Sequence, residues 1–158
     1  MSWVDNHHAI GIKHLLKPEW TLMISGSVPC NIYTQKGYQD SVYMALQHID
    51  HAKVWKKQEI PAYLHYGKHE RVGDVVVSPD IGYVVYDEPI TQGGTHGYDP
   101  TLSDMHAVFR AIGPDFDHVS LPHFENVNVY MLLCKVLGIS PAPNDGNTEV
   151  VETILYKK

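Results

Sequence analysis

Apolar positions along the chain fall into runs of two kinds, one repeating every second residue and one every third or fourth. "WTLMIS" (Trp20 to Ser25) and "VPCNIYT" (Val28 to Thr34) alternate between turn formers, which predicts two short strands joined through Gly26, as a hairpin or a bulged strand. In "YQDSVYMALQHI", Val42, Leu46 and Ile49 recur at helical spacing, so a helix capped by Asp40 should pack on those strands. "HAKVWKK" reads as a further strand. "QEIPAYLHYGKHERVG" reads as an irregular connector with aromatic anchors. The run "DVVVSPD" predicts a well-buried strand, followed by another at "GYVVYD" and then a polar loop.

Beyond that loop, "HAVFRAIGP" (His106 to Pro114) alternates well enough to predict a strand ended by Gly113 and Pro114. "FENVNVYMLLCKVLGI" is the clearest helix. Val127, Tyr130, Met131, Cys134, Val136 and Leu137 should form its apolar face, with Gly138 as the stop. "SPAPNDGN" is an exit loop, and "TEVVETILYKK" a short helix or a terminal strand. Strands and helices mixed in this order suit an α/β or α+β arrangement.

Composition narrows the partners. A chain of 158 residues with 44% hydrophobic positions can build one domain with a core, and its formal charge of −6 argues against a nucleic-acid polymer or an anionic membrane as main partner. No apolar run reaches the length of a membrane span, and "MSWVDNHHAIG" has neither the basic nor the apolar region of a signal peptide. The two cysteines, Cys30 and Cys134, make no disulfide framework and read as structural thiols. Eleven histidines bring metal chemistry into consideration, although a count places no ligand.

One histidine has a distinctive setting. In "GGTHGYDPTLSDMHAVFRAIGP", His96 stands behind two glycines and ahead of Gly-Tyr-Asp-Pro, where the backbone can turn sharply and another group can approach closely. A metal ligand and a polar loop residue are both open readings at this point. Asp99 reads as an Asx-type turn former, able also to orient His96 from behind, and Tyr98 as a residue packed under the loop. Asp104 lies at the entrance to the expected strand and makes no acid/base pair with Asp99.

Other histidines are weaker candidates. His65 and His69 in "HYGKH" have the i, i+4 spacing of a helical metal pair, but Gly67 between them argues against a helix. His7 and His8 lie near an expectedly loose end, His118 and His123 flank a loop around Pro122, and Asp50 and His51 in "IDHAKV" carry no metal role. No phosphate-cradling glycine loop, Ser/His/Asp triad or Cys/His pair stands out.

Three segments in order, "KKQEIPAYLHYGKHERVGDVVV", "GGTHGYDPTLSDMHAVFRAIGPDF" and "FENVNVYMLLCKVLGISPAPNDG", resemble the nucleotide pyrophosphatase/phosphodiesterases of the alkaline phosphatase superfamily. The likeness is strongest over residues 55–146 and corresponds to the C-terminal part of their catalytic domain. It implies that residues 1–158 form a single partial domain: an α/β, alkaline-phosphatase-like fold with a mixed sheet flanked by helices, incomplete as a sheet.

The resemblance also implies a chemistry. The family hydrolyses phosphodiester or pyrophosphate bonds in nucleotides or similar small molecules, through a threonine nucleophile and two zinc ions, and the His of its G-x-HGYD motif, here His96, is a zinc ligand. The threonine, the other ligands and the Asp-His-Gly-Met stretch precede this sequence in the family's order, so no catalytic residue and one metal ligand are expected here. A non-catalytic, truncated or divergent binding domain of the same fold is the alternative. Relatives are commonly extracellular, periplasmic or membrane-anchored, whereas this sequence shows no export signal.

Overall fold

The computed structural model describes residues 1–90 and 92–155; Thr91 of the polar loop and residues 156–158 of the expected terminal element lie outside the described residues. The chain folds as two compact units, residues 1–107 and 108–158.

The first unit is built on a four-stranded sheet. Its strands are β3 (Thr21–Ser25), β4 (Cys30–Thr34), β5 (Ala52–Lys56) and β6 (Val75–Pro79), in the order β3-β4-β6-β5 and antiparallel throughout. Of the two alternatives expected through Gly26, the hairpin is present; separately, the β3–β4 register shifts between Thr21 and Met23. Between β4 and β5 runs α1 (Gln39–Leu46), whose Val42 and Leu46 are buried with Ile12, Cys30, Ile32, Val75 and Val77. Apolar burial of this kind is the main favourable term in folding.

Two short ladders complete the unit. β1 (Ser2–Val4) pairs antiparallel with β8 (Gly93–Thr95), and β2 (Ala9–Ile10) pairs parallel with β7 (Val84–Val85). The expected loose end around His7 and His8 is therefore corrected. Asp5 accepts the His7 N–H at 2.9 Å and the His8 Nδ1 contact at 2.8 Å, and His8 lies edge-on to Tyr83 with ring centres 5.1 Å apart. The strand predicted over "GYVVYD" is reduced to Val84–Val85.

The helix cap also differs. Tyr38, not Asp40, occupies the position before α1 and makes no side-chain cap. Asp40 lies in the first turn and its carboxylate meets Lys56 Nζ at 2.6 Å. A negative charge is favourable near a helix N-terminus, and a lysine on the neighbouring strand gives it a better partner than the helix amides. That bond is the first cause of the raised Lys56 pKa.

In the second unit α2 (Val127–Leu137) and α3 (Thr148–Ile154) enclose a small core of Leu132, Val151 and Ile154, with Phe116, Leu121, Phe124 and Met131 packed against it. Gly138 closes α2 at φ +67°, and the amides of Gly138 and Ile139 bond to carbonyls of the last turn. The expected apolar face is only partly right. Cys134 is buried, whereas Val127, Tyr130, Val136 and Leu137 remain exposed. α2 turns one side toward α3, and Leu132, absent from the expected face, is what fills that contact. The buried Asn128 accepts the Asn147 N–H at 2.6 Å, and Asn147 in turn caps α3 through the Glu149 N–H.

The expected strand at residues 106–113 is absent. Val108 is 96% and Ile112 87% exposed, and no described strand pairs with them. An alternating pattern needs a ladder partner to become a strand, because each backbone N–H and C=O must be satisfied across the pair. Among the described residues none is offered.

Candidate functional site

The loop that follows β8 places His96 at the surface, with its backbone fixed on both sides. On the preceding side, Thr95, Gly94 and Gly93 are in register with Ser2, Trp3 and Val4. On the following side, Gly97 has φ +102°, and a Cβ added there would overlap the Val28 carbonyl oxygen. Only glycine combines that dihedral with that approach. The close approach inferred for the glycine-flanked loop is real, and the group that approaches is protein backbone.

Tyr98 is buried, as expected, and its hydroxyl donates to the Tyr83 carbonyl at 2.7 Å. Burial is the main reason its phenol is held above the ordinary range. Asp99 forms the Asx-type turn: its Oδ1 accepts from Thr101 N at 2.9 Å and Thr101 Oγ1 at 2.7 Å. Its Oδ2 accepts a 2.6 Å bond from the Tyr63 hydroxyl. The Tyr63 bond, followed by the two Thr101 bonds, lowers the Asp99 pKa, and the same bond raises that of Tyr63. Asp104 lies in a single helical turn, Ser103–Met105, rather than at a strand entrance.

The other candidate histidines have settings of their own. His65 has a left-handed backbone with φ +48°, and His69 Nδ1 accepts the Arg71 N–H at 3.1 Å, so "HYGKH" forms no helical pair. His51 stacks on Tyr83 at 4.0 Å and 7°. His118 and His123 are exposed. Among the described residues no three His, Cys, Asp or Glu side chains converge where one ion could sit. His96 is an accessible imidazole on a fixed backbone, a donor type that can serve zinc.

Sequence reasoning missed Tyr63 and Val28 as supports of the loop. Tyr63 had a signal, being one of the aromatic anchors of the connector, but nothing in the spacing names Asp99 as its partner. Val28 acts through its backbone carbonyl, which leaves no mark on residue type.

Comparison with solved structures shows that the chain has an alkaline-phosphatase-like α/β fold, shared with ectonucleotide pyrophosphatase/phosphodiesterase 5. The family model for type I phosphodiesterase/nucleotide pyrophosphatase matches residues 1–99, and the chain belongs to that family. It is 36% identical over 125 residues to ectonucleotide pyrophosphatase/phosphodiesterase family member 7 of Rattus norvegicus, covering 77% of this chain and 28% of that protein. With family member 5 of Homo sapiens it is 32% identical over 159 residues, covering 98% of this chain and 33% of the relative. A solved structure of murine ectonucleotide pyrophosphatase/phosphodiesterase 5, an inactive variant in complex with AMP, superposes with a TM-score of 0.89 at 30% identity, over 97% of this chain and 42% of that one. The chain thus spans about a third or less of the length of these relatives. No described helix is long and apolar enough to cross a membrane.

Proposed function

We propose that residues 1–158 form part of the catalytic domain of a zinc-dependent phosphodiesterase or nucleotide pyrophosphatase, with both compact units belonging to one partial domain. In this reading His96 supplies one zinc ligand, and the threonine nucleophile and the other ligands come from sequence outside these residues. The observation that carries the reading is the loop itself: a surface imidazole whose backbone is fixed by β8 on one side and by Gly97 against Val28 on the other. Such fixing lets an imidazole meet a metal with little further loss of freedom.

When bound, zinc would stabilise charge on the phosphoryl oxygens during transfer. The tasks of this chain are to hold the His96 ring and to keep its loop in place through Tyr98 and Asp99. A nucleotide or related small phosphodiester is the substrate class, a reading supported by the AMP complex of the murine relative.

Zinc titration of the chain, followed through histidine ring resonances, tests the assignment. A single imidazole leaves most of a tetrahedral shell to water, so binding at His96 should be weak and vanish in His96→Ala. The chain alone should not turn over a nitrophenyl phosphodiester, since the covalent route needs its nucleophile. Tight stoichiometric zinc binding, abolished by His65→Ala and untouched by His96→Ala, would overturn the reading. Zinc binding at His96 together with inactivity of the longest natural form would favour the non-catalytic binding domain.

A further inference from the structure

The connector between β5 and β6 is tied to β4 at several points. Tyr66 donates to Asn31 Oδ1 at 3.0 Å, the Gly73 N–H donates to the same oxygen at 3.0 Å, and the Tyr33 hydroxyl donates to the Arg71 carbonyl at 2.7 Å. Within this frame Pro61 leads into a helical turn, Ala62–Leu64, closed by Leu64 N–H to Pro61 O and His65 N–H to Ala62 O, both at 3.1 Å. Tyr63 sits on that turn, and its hydroxyl reaches Asp99 Oδ2 across 36 residues of sequence. Asp99 is thereby divided between two tasks: one oxygen shapes the turn after His96, and the other is held by a connector anchored to the four-stranded sheet.

We propose that Tyr63 is a positioning residue for His96, transmitting the fixed geometry of the sheet and connector to the histidine loop through Asp99. The proposal rests on the reading of His96 as a zinc ligand. Tyr98 ties the loop to Tyr83, and Tyr63 ties it to the connector. A phenol suits this task because its ring is rigid and its hydroxyl is the only atom that must reach the carboxylate.

The experiment uses the 158-residue chain and two readouts. Without metal, Tyr63→Phe should speed amide exchange at Thr101 and Leu102, whose N–H groups bond to Asp99, by about fivefold, the size of one lost hydrogen bond. Exchange at Gln35 and Lys57, bonded elsewhere, should stay the same. With zinc, the midpoint of the His96 ring response should rise about threefold in Tyr63→Phe, a small effect because the pair is exposed. Tyr63→Arg, which returns a donor to the carboxylate, should restore both.

Unchanged exchange at Thr101 and Leu102 in Tyr63→Phe would overturn the proposal and leave the metal reading intact. Faster exchange with an unchanged zinc midpoint would also overturn it, by reducing Tyr63 to a local stabiliser. Absence of any zinc response at His96 in the unsubstituted chain would instead remove the metal reading and the proposal built on it.

Discussion

Two apolar runs, "DVVVSP" around β6 and "HAVFRAI" at residues 106–112, look alike in sequence and end differently in the fold. Val75 and Val77 in β6 are 0% exposed, flanked by β4 on one edge and β5 on the other, with α1 over one face. Val108 and Ile112 are almost fully exposed and unpaired among the described strands. Apolar alternation states that a segment can be buried as a strand. Whether it is depends on an edge being available, which is a property of the whole chain.

The contrast is broken most severely by placing the same charge in both runs. Val77→Asp puts a carboxylate into a dry core with no partner, and should unfold the first unit or cost on the order of 4 kcal/mol or more. Ile112→Asp should leave the melting temperature nearly unchanged. Circular dichroism melts of the two variants measure the difference. Equal destabilisation would show that residues 106–113 are packed in solution.

A second, smaller effect reads the same core through pH. Burial, aided by Asp87, pushes the Cys30 thiol up to about 12 from an ordinary value of 9.0. Above pH 9 the unfolded chain loses that proton while the folded chain keeps it, so folding stability falls as pH rises from about 9 toward 12. Below pH 9 the group contributes no slope. Alkaline denaturation followed at several pH values should show the fall, and Cys30→Ala should flatten it while lowering stability near neutrality by leaving a cavity. Iodoacetamide should spare Cys30 until the sheet unfolds.

These effects also mark how much was legible. β3 to β6, α1 and α2 were readable because each pairs or packs with a near neighbour in sequence, so local pattern and tertiary outcome agree. β1 escaped notice because "SWV" is too short to show a period and finds its partner some 90 residues later in Gly93–Thr95. At the loop, the motif named His96, and the flanking glycines gave the close approach. The contact that makes Gly97 indispensable comes from a backbone carbonyl, and the Tyr63–Asp99 bond joins residues whose proximity only the fold creates. Asp40 failed as a cap for the same reason: a lysine on another strand outbid the local partner.

The smallest expected effect on stability comes from softening the exposed run. Val108 and Ile112, at 96% and 87% exposure, make few contacts to lose, so Val108→Ser and Ile112→Ser together should shift stability by no more than about 0.5 kcal/mol each. Association is where they should matter. Exposed apolar side chains close together in sequence favour self-contact, and the chain should scatter more light with concentration than the double variant does. The edge strand β3 offers a rival surface, with Leu22 at 65% and Met23 at 50% exposure beside unpaired backbone. Leu22→Thr with Met23→Thr serves as the matched comparison. Association lost in the first pair and kept in the second assigns self-contact to residues 106–113; the opposite result assigns it to the β3 edge. A clean monomer in the unsubstituted chain removes both, and a melt lowered by several degrees in Val108→Ser/Ile112→Ser would show that these side chains are buried after all.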